Sequence, residues 1–118
     1  MLINKAHIYL TFNIMIKNYL KKHFSVSNIR RLRNLANDIK AFGFGCNLNK
    51  LGRIYGTDKI GSHFYTAHYM THFRRYKYKK ISLLEIGVGG YKKPDSGGNS
   101  LRMWKKYFPF GKILGLDI

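Results

Sequence analysis

Carboxylates are what this sequence has least of. Five Asp and Glu stand against 22 Lys and Arg in 118 residues, which leaves a net charge of +17. The excess favours contact with something anionic, such as nucleic acid or an acidic membrane surface. It has a bland source too. Lys outnumbers Arg 15 to 7, and Asn, Ile, Tyr and Phe are plentiful, as coding drift towards A and T would produce; this compositional source takes precedence. Cysteine is nearly absent, and the single Cys46 cannot close an internal disulfide. That suits a reducing compartment, so a cytoplasmic location is expected, and the loop around Cys46 does not suggest an activated thiolate. Long apolar runs are missing as well. The longest uncharged stretch near the start, "AHIYLTFNIMI", has 11 residues and contains His7 and Asn13, too short and too polar to span a bilayer. No small-residue cleavage pattern follows it. Residues 1–37 carry seven Lys and Arg and no carboxylate before Asp38, which leaves a transit peptide or a membrane-surface helix open. Ile8, Phe12, Met15, Ile16 and Tyr19 nevertheless recur at helix spacing, and such a stripe is expected to pack on its own domain, so a membrane partner is not expected. Apolar and aromatic residues are not scarce: 45% of the chain is hydrophobic, including 17 Phe and Tyr plus Trp104. One domain with a modest core is the expectation.

Periodicity predicts a helix over 3–23 and a second from Ser27 as N-cap through Ile29, Leu32, Leu35 and Ile39 to a stop at Gly43. The segment "GFGCNLNKLGRIYGTDKIGS", with five glycines and no sustained period, reads as a connector. A third helix is expected from Ser62 to about Tyr76. "KISLLEIG" and "KILGLDI" read as short parallel strands over 81–87 and 113–118, with a helix across "SLRMWKKYF" between them. The organisation is therefore a helical segment at 1–50, a connector and covering helix at 51–80, and a strand–helix–strand unit at 81–118. The fold class is α/β.

The stretch "LLEIGVGGY" carries the chemistry. Glycines after a parallel strand let a ligand approach the main chain where a Cβ would collide, and Gly87, Gly89 and Gly90 are placed to do so. A glycine turn alone is common in proteins with no ligand there, and the G-x-G-x-x-G pattern fails because Lys92 takes the third glycine's place. Glu85 strengthens the signal. A carboxylate at the end of a buried strand needs a polar partner, and a cationic ligand group would be one, although an edge-exposed Glu is the plain alternative. Asp117 lies thirty positions after Gly87, with the loop "YKKPDSGGNS" accounting for the excess over the usual spacing of roughly 20. An acidic group there can accept both hydroxyls of a ribose. Two carboxylates at adjacent strand ends bracket a ligand with a sugar and a cationic end, and S-adenosylmethionine has both.

"LLEIGVGGY" followed by "GGNSLRMWKKYFPFGKILGLDI" resembles the first cofactor motif and second strand of class I S-adenosylmethionine-dependent methyltransferases, whose sheet is Rossmann-like. With the upstream "YGTDKIGSHFYTAHY" it is similar to the sugar O-methyltransferases of macrolide antibiotic pathways and their surface-polysaccharide relatives. The resemblance covers roughly residues 54–118, and Tyr91 departs from the general class, where many members have a third glycine. It implies O-methyl transfer to a sugar hydroxyl of a small-molecule acceptor. It also implies that Glu85, Gly87 and Gly89 line the methionine end, that Gly90 too binds the cofactor, that Asp117 meets the ribose, and that Thr57, Asp58 and Lys59 close over the cofactor. Members of that group use a magnesium ion and a base as well, and the matching residues would lie beyond residue 118.

Methyl transfer from a sulfonium is an in-line displacement that depends on holding carbon and oxygen in attack geometry, and an alcohol acceptor needs a base. His63, His68 and His72 are the candidates with a near-neutral reference pKa. His68 and His72 have the i, i+4 spacing of a metal pair but no carboxylate near them in sequence, so no metal site is assigned. Two parallel strands with one crossover leave an open apolar edge, so a truncated chain with marginal folding and little catalysis of its own is expected. The rival class is a nucleic-acid-binding module. "RRYKYKK" at 74–80 interleaves basic and aromatic side chains, but no standard RNA-motif string is present, so any such binding is expected to be non-specific and salt-sensitive. Solvated helix ends over packed tyrosines are the simpler reading of that run.

Overall fold

The computed structural model describes residues 5–45, 47–61, 65–90 and 97–117, with backbone alone for residues 5–8. Its chain divides into two compact units, residues 1–36 and 37–118.

In the first unit, α1 spans Lys5–His23, and Lys21 and Lys22 in its last turn are cations that suit the negative end of the helix dipole. Phe12, Met15 and Tyr19 are all more than half exposed and Ile16 is exposed too, which corrects the expectation that this stripe packs on its own domain. The second helix, α2, spans Val26–Ala41. Its cap is Ser25 rather than Ser27: Ser25 Oγ accepts from the Asn28 N–H at 3.3 Å, and its carbonyl accepts from Ile29 at 3.1 Å. Both serines suit an N-cap, but Ser25 is the one whose hydroxyl reaches the third helical N–H.

The second unit begins within α2. After a 3-10 turn at Phe42–Phe44, a third helix, α3, spans Leu48–Tyr55. The connector expected over this region is thereby corrected. Asn47 caps α3, its side chain accepting from the Lys50 N–H at 2.9 Å, and Gly56 closes it in the left-handed region at φ 66°. Leu48, Leu51 and Tyr55 recur on one face and are buried. Gly52 sits inside the helix because a Cβ there would run into the Ile60 side chain.

Next come α4 (Tyr65–Phe73), a 3-10 turn at Arg74–Tyr76, β1 (Ser82–Ile86), α5 (Asn99–Tyr107) and β2 (Lys112–Leu116). The strands are parallel neighbours with Leu83 opposite Ile113 and Glu85 opposite Gly115, joined through α5 as the sequence pattern predicts. Met103, Trp104, Tyr107 and Phe108 pack with Leu48, Leu51 and Tyr55 in the core, and Leu83 and Ile113 turn towards them. Gly115 allows the close approach of α5, since a Cβ there would stand 2.6 Å from Leu101 Cδ1 and 2.7 Å from Val88 Cγ1. Leu84, Ile86, Leu114 and Leu116 point the other way and are exposed. In the run 74–80, Lys77 is buried with its ammonium 5.7 Å from the centre of the Tyr107 ring, and Arg75 and Lys79 lie over Tyr76. Among the described residues no helix is long and apolar enough to cross a membrane.

Candidate functional site

Three chain ends meet beside β1. The first is the turn that leaves α3, where the Thr57 N–H donates to the Gly52 carbonyl at 3.1 Å and Thr57 is buried. The second is the loop leaving β1, where Gly87, Gly89 and Gly90 take φ of 78°, 77° and 113°, values that other L-residues rarely adopt. The third is the start of α5, which follows Gly98. Asn99 ties it to α3, its Nδ2 donating to the Gly56 carbonyl at 3.3 Å, and the Gly98 N–H ties it to the glycine loop through the Val88 carbonyl at 3.0 Å.

Between them lies a cavity of about 270 Å³ whose lining includes Thr57, Asp58, Glu85, the glycine loop, Asn99 and Ser100. Among the described residues no side chain caps α5, so its first N–H groups are free of that competition and carry the positive end of the helix dipole. Around Gly89 there is open space where a Cβ would stand. A flat, polar ligand that comes close to main chain is what such a wall accommodates.

Glu85 has the polar partners that its place on the strand demands. Its Oε1 accepts from Ser100 Oγ at 2.7 Å and pairs with Lys59 Nζ at 2.7 Å, while Oε2 accepts from Trp104 Nε1 at 2.9 Å. The side chain is 9% exposed. Burial by itself would lower the Lys59 pKa, but the hydrogen bond and charge of Glu85, with Asp58 and Tyr69 adding to them, carry it above the ordinary lysine value. Behind the site, the Tyr55 hydroxyl donates to Asp38 Oδ1 at 2.6 Å and Arg102 pairs with Asp38 Oδ2 at 3.2 Å. Burial first, then the hydrogen bond and charge of Asp38, push the Tyr55 pKa well up, with Arg102 opposing.

The structure thus gathers Thr57, Asp58, Glu85, Gly87, Gly89 and Gly90 around one cavity. Lys59 reaches Glu85 from the other side, beside Tyr69 and Trp104. Asp117 is exposed one residue beyond β2, next to Leu116, whose carbonyl accepts from the Gly87 N–H at 2.7 Å. His68 and His72 are exposed on α4 and do not line the cavity; His63 lies outside the described residues. Among the described residues no three His, Cys, Asp or Glu gather as a metal site would require. Sequence reasoning missed Asn99 and Ser100 as lining residues. The signal was present in "GGNS", a glycine pair followed by helix-starting polar residues.

Over 73 residues the chain is 55% identical to the mycinamicin VI 2''-O-methyltransferase of Micromonospora griseorubida and 53% identical to the demethylmacrocin O-methyltransferase of Streptomyces fradiae. Its relatives are O-methyltransferases. Each match covers 61% of this chain and 18% of the relative, so the chain spans about a fifth of the length of the curated relatives it matches. Another relative, 52% identical over 64 residues, is the 8-demethyl-8-alpha-L-rhamnosyl tetracenomycin-C 2'-O-methyltransferase of Streptomyces olivaceus. Among solved structures, the MycE methyltransferase of the mycinamycin pathway, in complex with Mg, SAH and mycinamycin VI, superposes with a TM-score of 0.58 at 55% identity, covering 61% of this chain and 20% of that one. The matched part of the chain therefore has a methyltransferase fold, with which the parallel strand pair agrees. No family model matches the chain.

Proposed function

We propose that this chain supplies the cofactor-binding wall of an S-adenosylmethionine-dependent O-methyltransferase acting on a sugar hydroxyl. The observation that carries the reading is the convergence of the 57–58 turn, the glycine loop and the uncapped start of α5 on one cavity. Similarity to sugar O-methyltransferases, one of them solved with SAH, supports it. The residues fit the group: glycines with positive φ admit it to the main chain, Asp58 gives the methionine end an acidic setting, and Asp117, exposed just beyond β2, would meet the ribose. When bound, the cofactor supplies an electrophilic methyl group on a sulfonium. The residues of this chain bind and orient it, and Lys59 and Trp104 hold Glu85 in place.

Isothermal titration calorimetry with S-adenosylmethionine tests the reading. Saturable binding is expected, and Asp117→Asn should weaken it by one to two orders of magnitude, from about 1.5–3 kcal/mol for a charge-assisted contact. An Asp117→Asn chain with unchanged affinity would move the ribose elsewhere, and no binding by the unmodified chain would remove the assignment.

A further inference from the structure

Glu85 is the acidic group that sequence reasoning aimed at a ligand's cation, yet its charge is already matched. Three donors reach its two oxygens, one of them the Lys59 ammonium at 2.7 Å, and a carboxylate offers about four acceptor positions. A second cation placed beside this pair meets little net field. Asp58 differs. It is exposed and lines the same cavity, and its carboxylate takes a long 3.4 Å contact from the Thr57 hydroxyl. The ion pairs Lys59–Glu85 and Arg102–Asp38 do not use Asp58, whose charge acts on the Lys59 ammonium only from beyond pairing distance.

The turn that carries Asp58 is bounded by Gly56 and Gly61, both at positive φ, and such a segment needs a tie to hold one conformation. Lys59 is that tie. Its side chain runs to Glu85, and Glu85 is in turn fixed to α5 through Ser100 and Trp104, one helical turn apart. On the reading of the cavity as an S-adenosyl site, we infer that Lys59 is a positioning residue whose pairing with Glu85 pins the 57–59 turn beside the glycine loop. Asp58 is then the carboxylate that receives the ligand's ammonium.

The single tryptophan makes the tie observable, because the chain has one indole N–H resonance and that N–H donates to Glu85. In the 118-residue chain, Lys59→Met is expected to lower the protection of the Trp104 indole N–H against solvent exchange, and Lys59→Arg to restore it. Unchanged protection in Lys59→Met overturns the tie. Since Lys59→Met strands a buried charge, the double variant Lys59→Met/Glu85→Gln, which removes both charges and keeps an acceptor for Trp104, is the folded reference. S-adenosylhomocysteine should bind about tenfold more weakly to the double variant and to Asp58→Asn, whereas 5′-methylthioadenosine, which lacks the ammonium, should bind both as it binds the unmodified chain. Equal S-adenosylhomocysteine affinity in Asp58→Asn and the unmodified chain overturns the role of Asp58. If the unmodified chain binds neither ligand, the S-adenosyl reading and the role of Asp58 fall together, and the indole result alone decides the tie.

Discussion

Glu85 and Lys59 lie 26 positions apart, on a strand end and a turn. That Glu85 needs a polar partner was legible from its place in an apolar run, because a buried carboxylate without one is costly. Which partner it takes was not legible, since the pairing is made by the packing of the 57–59 turn against α5 and not by any local spacing. The Tyr55–Asp38 contact is of the same kind, with 17 positions between the two residues. Tyr55 and Lys59 also share a pH signature, since both have pKa values above their ordinary ones. A group whose folded pKa is raised contributes its stability in full below the unfolded pKa, near 10 for tyrosine, and loses it as pH rises through the folded value. The thermal midpoint should therefore fall as pH is raised past about 10, and Tyr55→Phe should flatten part of that fall. Parallel slopes for the two proteins, followed by circular dichroism melts across that range, would show that Tyr55 does not contribute to it.

Among the elements, β1, α5 and β2 were legible because each carries an unbroken pattern: short apolar runs for the strands, and Ser100, Met103, Trp104 and Tyr107 on one helical face. The third helix was hidden by its glycines. Gly52 lies in its middle at an intrinsic cost of about 1 kcal/mol, and only the tertiary contact with Ile60 explains the residue. Asn47 and the Leu48, Leu51, Tyr55 spacing were the signals available, but eight residues are few for a period to declare itself. Because α3 packs against α5 at the centre of the core, Leu51→Ala should destabilise the 37–118 unit by about 2–5 kcal/mol. Leu35→Ala, on an exposed face of α2, should cost less than about 0.5 kcal/mol. Urea denaturation compares them, and similar midpoints for the two variants would mean that α3 is not part of the core.

At the scale of the molecule, the sheet is covered on one face and, among the described residues, open on the other. Leu84, Ile86, Leu114 and Leu116 are between 42% and 61% exposed, in strands whose apolar runs are of the kind buried on both sides. At about 25 cal/mol per Å², the burial available on that face is not realised within the described residues. The described residues that line the cavity all lie within the 37–118 unit, so its chemistry is testable in the chain as it stands. The most direct measurement is amide chemical-shift mapping of the ¹⁵N-labelled chain during titration with S-adenosylhomocysteine. The account predicts saturable shifts concentrated at Asp58, Gly87, Gly89, Gly90, Asn99 and Ser100, with little change along α1. Shifts spread over the Lys- and Arg-rich surface, or no saturable shift at the glycine loop, would contradict it.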